Sequence, residues 1–97
     1  MKTIDERDNY IKLQQIDYKH KIHGGAALIG LKYDEYFQSY IIQVFRIKEF
    51  DIGEKHYITE IRLATARIKD EKKAFSEFEN SILTGEFCTG LKKGRGK

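Results

Sequence analysis

The chain is predicted to be α+β: an antiparallel β-meander of about four strands, with a C-terminal α-helix packed on one face. Three observations predict this. Residues 40–50 are dense in β-branched and aromatic side chains, which suit a pleated, half-buried surface. Residues 56–69 return in alternation after a turn at 51–54, where Gly53 is free to take positive φ. Asp70, an N-cap residue type, then opens a segment in which Ala74, Phe75, Phe78 and Ile82 recur at helical spacing, with Gly85 as the stop.

Taken in order, Thr3 and Glu6 fit a capping box, so the spacing allows a short N-terminal helix. From Tyr10 the chain reads as extended. Residues 16–22 alternate strictly, with Ile16, Tyr18, His20 and Ile22 on one side and Asp17, Lys19 and Lys21 on the other. Gly24 and Gly25 mark a turn. Residues 26–33 form a second, mostly apolar strand, and residues 34–39 a loop. Phe37, Tyr40, Ile41, Val44 and Phe45 also sit at helical spacing, but the β-branched density of 41–47 favours a strand. A turn at 51–54 pairs Val44 with Ile61, Ile42 with Leu63 and Tyr40 with Thr65, and that face should meet the helix. The other face then carries Phe45 with Glu60, Gln43 with Arg62, Ile47 with Ile58 and Glu49 with His56. This mixed face is the expected partner surface.

The sequence has 97 residues, enough for one small core, here expected over residues 1–91 with 92–97 as a flexible basic tail. A domain of this size has a thin stability margin, so a homodimer is compatible with it. No proline occurs, which favours long uninterrupted elements. The single cysteine, Cys88, cannot form an internal disulfide and points to a reducing compartment. The N-terminus is charged and has no apolar core of a secretory signal, and no apolar run approaches the length of a membrane span. A cytoplasmic protein with no membrane association is therefore expected.

The net charge of +3 is unevenly placed. Lys92, Lys93, Arg95 and Lys97 supply four bases, which leaves 14 bases against 15 acids, net −1, in residues 1–91. The predicted strands are basic and the helix is acidic, a polarity that can orient a polyanion toward the sheet.

Chemical motifs are weak. Asp17, His20 and His23 would share one side of a helix, but on a strand the two histidines point apart, so no metal is expected. Gly25-x4-Gly30-Leu31-Lys32 misses the phosphate-loop pattern, which needs lysine and then a hydroxyl residue directly after the second glycine. No cofactor is expected. Cys88, Ser39, Ser76 and Ser81 lack a neighbouring base in sequence, so a non-enzymatic protein is expected. The remaining signal is basic residues interleaved with aromatics, a composition that suits stacking and phosphate contact along single-stranded DNA or RNA. It nominates Lys19, Lys21, Arg46, Lys48 and Arg62 for phosphates, with Lys92, Lys93, Arg95 and Lys97 in the tail. Tyr18, Phe45 and Tyr57 are nominated for stacking. In element order the chain resembles the strand-meander-plus-helix modules of Whirly-type single-stranded DNA binders, and that resemblance implies nucleic-acid binding on the sheet. The alternative is a protein-binding inhibitor or adaptor of the kind encoded by phages and mobile elements. It would use the mixed face or the helix acids Glu71, Glu77 and Glu79 against a protein target.

Overall fold

The structure, a computed structural model, describes residues 10–89. The N-terminal capping box and the tail residues Lys92, Lys93, Arg95 and Lys97 lie outside them. Four strands follow one another: β1 (Lys12–Tyr18), β2 (Gly25–Asp34), β3 (Ser39–Ile52) and β4 (Lys55–Ile68). They form one antiparallel sheet in the order β1-β2-β3-β4, and the helix α1 (Glu71–Thr84) packs across one face. The α+β meander with a C-terminal helix is therefore the fold of the chain. Among the described residues, no helix is long and apolar enough to cross a membrane.

The helix begins and ends where its caps dictate. The Asp70 carboxylate accepts a hydrogen bond from the Lys73 backbone N–H at 2.8 Å, and Glu71 sits in the first turn, where the helix dipole favours an acid. Gly85 takes φ +78° and donates its N–H to the Ser81 carbonyl. A Cβ there would lie 2.7 Å from the Asp17 carbonyl oxygen, so both conformation and space require glycine. The Lys19 N–H donates to the Gly85 carbonyl at 2.8 Å, which ties the end of α1 to the end of β1.

The core lies between α1 and the sheet. Ile16, Ile29, Leu31, Ile42, Val44, Ile68, Ala74 and Phe78 are buried there. Each large aliphatic side chain removed from water contributes roughly 1.5–3 kcal/mol. Phe75 is half-buried at the rim. Its ring meets Tyr40 edge-on at 6.0 Å and takes the Lys12 ammonium at 5.6 Å, and Lys12 also pairs with Glu79 at 2.9 Å.

Several expectations are corrected. The first strand occupies Lys12–Tyr18 rather than 16–22. Beyond Tyr18 the chain turns, because His20 Nδ1 accepts hydrogen bonds from the backbone N–H groups of Ile22 and His23, at 3.1 Å each. A side chain that satisfies two backbone donors offers the chain an alternative to the ladder. His20 and Ile22 therefore leave the strand face, and Ile22 is exposed. The β3–β4 turn is two residues, Gly53 and Glu54, not four, and Ile52 pairs with Lys55. Gly53 takes φ +64° at the first central position, where a two-residue hairpin turn accepts glycine.

The shorter turn moves the register by two residues. Phe45 faces Arg62, Ile47 faces Glu60 and Glu49 faces Ile58. A slip of two preserves the face, so these side chains lie on the expected side. Next to them, Val44 pairs with Ala64, not Ile61, which leaves Leu63 as an extra residue in β4. This β-bulge inverts the faces beyond it. Ala64, Ala66 and Ile68, not Leu63 and Thr65, stand opposite Val44, Ile42 and Tyr40 beneath the helix.

The second face of the sheet is covered at its centre. Tyr10 lies flat against Phe45, with ring centroids 5.6 Å apart and planes 13° apart. Gln43 Nε2 donates to Tyr10 Oη, and the Lys32 ammonium sits 5.1 Å from the ring. Gly30 makes this approach feasible, since a Cβ there would come within 2.5 Å of the tyrosine ring.

Candidate nucleic-acid interface

β3 and β4 are twice the length of β1, and this asymmetry builds the exposed feature of the molecule. The β2–β3 ladder ends at Leu28 and Phe45. Beyond it, residues 46–52 of β3 and 55–61 of β4 pair only with each other. Seven residues per strand at ~3.3 Å each make a two-stranded arm roughly 23 Å long.

Alternation sorts the side chains of this arm by sign. Arg46, Lys48, Phe50 and Ile52 share a face with their partners Ile61, Thr59, Tyr57 and Lys55. That face carries three bases and no acid. Phe50 and Tyr57 stack at its centre, with centroids 5.5 Å apart and planes 21° apart. Lys48 and Lys55 flank the stack, both exposed, and neither forms an ion pair among the described residues. The reverse face carries Ile47, Glu49 and Asp51 with Glu60, Ile58 and His56. His56 Nδ1 lies 2.7 Å from Asp51 and Nε2 lies 3.3 Å from Glu49. The Asp51 carboxylate first, and Glu49 after it, holds this imidazole above its ordinary value of 6.5.

The structure distributes the nominated residues unevenly. Lys48 and Tyr57 meet on the basic face of the arm, Lys48 exposed and Tyr57 half-buried beneath its stacked partner. Tyr18, Lys19 and Lys21 line a groove of about 550 Å³ on the helix side of the sheet, with Leu63 and Ala64 and, from the segment after α1, Glu86, Phe87 and Thr89. Lys19 and Lys21 are exposed, but Tyr18 is 5% exposed and belongs to the core, and its burial pushes the phenol pKa up. Phe45 is 0% exposed beneath Tyr10. Neither Tyr18 nor Phe45 presents an open ring to a base, and the stacking role assigned to both is corrected. Arg46 is committed within the chain. Its Nε donates to the Ala26 carbonyl at 2.9 Å, and its Nη2 donates to those of His23 and Gly24 at 2.8 and 3.0 Å. Such charge-assisted bonds are strong, so this guanidinium anchors the β1–β2 loop to the root of the arm instead of reaching for phosphate. Arg62 is exposed on the opposite face of the sheet, across from the buried Phe45 and apart from Lys48 and Tyr57.

Sequence reasoning missed Phe50 and Lys55. The signal was present: with a two-residue turn at Gly53-Glu54, parity alone places Lys48, Phe50, Lys55 and Tyr57 together. The helix acids also need correction. Glu71 and Glu79 are exposed, but Glu77 is buried, and its Oε1 has no hydrogen-bond partner among the described residues. Cys88 lies beside it. Burial first, and the Glu77 carboxylate second, push the thiol up to about 11, so it stays protonated near neutral pH and is a poor nucleophile. Among the described residues, no three His, Cys, Asp or Glu side chains converge to hold a metal.

Comparison with protein-family models, curated proteins and solved structures finds no match to this chain. The likeness to Whirly-type modules is one of element order alone.

Proposed function

We propose that this chain is a small non-enzymatic binding protein whose ligand is single-stranded nucleic acid, contacted by the basic face of the β3–β4 arm. The observation that supports the reading is the segregation on that arm. Lys48 and Lys55 flank the stacked Phe50 and Tyr57 on one face, and the acids Glu49, Asp51 and Glu60 are on the other. Single strands are bound by such a combination, in which aromatic faces take bases and lysines track phosphates. Phe50 is 38% and Ile52 61% exposed, so the face is open at its outer end. Lys19 and Lys21 in the helix-side groove extend the positive surface, and the tail bases Lys92, Lys93, Arg95 and Lys97 add to the attraction. Nothing in the arrangement requires a cofactor.

The test is a salt titration of binding to a fluorescent single-stranded oligonucleotide. Affinity should fall steeply with salt, and Lys48→Ala with Lys55→Ala should flatten the slope by about 0.7 per lysine. Phe50→Ala should weaken binding by ~1–3 kcal/mol with the slope unchanged. Lack of binding at ~50 mM salt, where nonspecific attraction is strong, would refute the reading. The protein-binding inhibitor or adaptor would then come forward, with the acidic reverse face of the arm and the exposed Glu71 and Glu79 as its contact groups.

A further inference from the structure

The arm leaves two strand edges without a partner among the described residues, that of β3 beyond Phe45 and that of β4, which is last in the sheet order. Which backbone groups face outward follows from the turn. In a two-residue hairpin the closing pair, Ile52 and Lys55, is hydrogen-bonded, and bonded and non-bonded pairs then alternate along the ladder. Lys55, Tyr57, Thr59 and Ile61 therefore bond to β3. His56, Ile58, Glu60 and Arg62 direct their N–H and C=O groups to the free side. An edge of this length is a template for another strand.

We propose that the occupant is a second copy of this chain, with the two β4 edges antiparallel about a two-fold axis at Ile58. The side chains carried by the outward-facing residues, together with Glu54 in the turn, read Glu54, His56, Ile58, Glu60, Arg62. About Ile58 this series is complementary to itself. Glu54 stands opposite the partner's Arg62, His56 opposite the partner's Glu60, and Ile58 opposite the partner's Ile58. Each polar pairing occurs twice, as an isologous contact requires. The neighbouring registers are worse. A slip of two in one direction sets Glu54 against the partner's Glu60, and in the other it sets His56 against the partner's Arg62. Like charges directly opposite are destabilising. The chosen ladder also ends where it must, since Arg62 is the last residue before the Leu63 bulge, which breaks regular pairing. The corresponding free edge of β3 does not offer this match. Its outward residues in the arm are Ile47, Glu49 and Asp51, and two copies would bring acids together there.

The pairing turns two ribbons into a four-stranded sheet and places both basic arm faces on one side. It does not depend on the nucleic-acid reading, and its test contains no nucleic acid. The full chain is measured by sedimentation velocity up to about 500 µM, a concentration that populates even a weak edge-to-edge pair. Dimer is expected. E54R alone and R62E alone should each weaken dimerisation by about tenfold or more, because two attractive pairs become repulsive. Both residues are exposed, so the thermal melting of each variant should stay close to that of the parent. An equimolar mixture of E54R and R62E should regain the dimer, since every 54–62 pair is then opposite in sign, and the doubly substituted chain should do so by itself. The inference is overturned by a chain that stays monomeric throughout, by a dimer indifferent to either substitution, or by single variants that dissociate while their mixture does not recover.

Discussion

His56 is the side chain whose protonation the arm controls most directly. Asp51 and Glu49 favour its cation, so its folded pKa lies above the ordinary 6.5. A raised value means that the folded arm binds the proton more tightly than the unfolded chain does. The resulting stabilisation is fully present below pH 6.5 and is lost as pH rises through the folded pKa. An NMR titration of the His56 ring should give a midpoint above 6.5, and Asp51→Asn should move it back toward that value. A wild-type midpoint at or below 6.5 would contradict the clamp. Arg46 shows the opposite use of charge. Its side chain is fixed by three carbonyl groups, which explains why a base on a strand, suited by type to bind phosphate, serves the fold instead. No sequence pattern marks that difference, because the carbonyl groups belong to residues 23–26, some twenty positions away.

Among the elements, α1 was the most legible. Its N-cap, its C-terminal glycine and its apolar stripe are all local signals, and each has the expected partner in the structure. Phe78 is 1% exposed between helix and sheet. Phe78→Ala should cost ~3–5 kcal/mol. That is a large share of the ~5–10 kcal/mol margin of a small domain, and denaturant unfolding would measure it. A loss under ~1 kcal/mol would place the ring outside the core. The hairpin was legible as a hairpin, since Gly53 between two β-rich runs is also a local signal. Its register was not. Counting the turn as four residues instead of two shifts every cross-strand partner, and composition does not distinguish the two. The first strand was misplaced for a related reason: alternation continues through His20 and Ile22, but His20 bonds its own turn and ends the ladder early. The covered face was invisible from sequence, since Tyr10 reaches Phe45 across 35 positions, and only the absence of a side chain at Gly30 hints at a close approach.

In the whole molecule, the helix side and the arm form one continuous surface with the groove between them, and its polarity changes along its length. The body buries apolar residues under an acidic helix, and the arm carries bases and aromatics outward on the same side of the sheet. The single extra residue at Leu63 makes these two halves compatible. It acts as a phase shift in a period-two code: the same strand displays Tyr57, Thr59 and Ile61 before it and Ala64, Ala66 and Ile68 after it. The chain should therefore respond very unevenly to changes of length. Inserting one residue between Ala64 and Thr65 would set Thr65 opposite Ile42 and Arg67 opposite Tyr40, under the helix, and expel Ala66 and Ile68, and circular dichroism and thermal melting should report a collapsed transition. Inserting one residue in the exposed turn at 35–38, which joins β2 to β3 without crossing any face, should leave the melting temperature within a few degrees. Comparable losses from the two insertions would mean that the alternation of β4 is not what decides which residues meet the helix. Lengths in this chain are thus constrained like a reading frame, tightly at one position and loosely at another a short distance away.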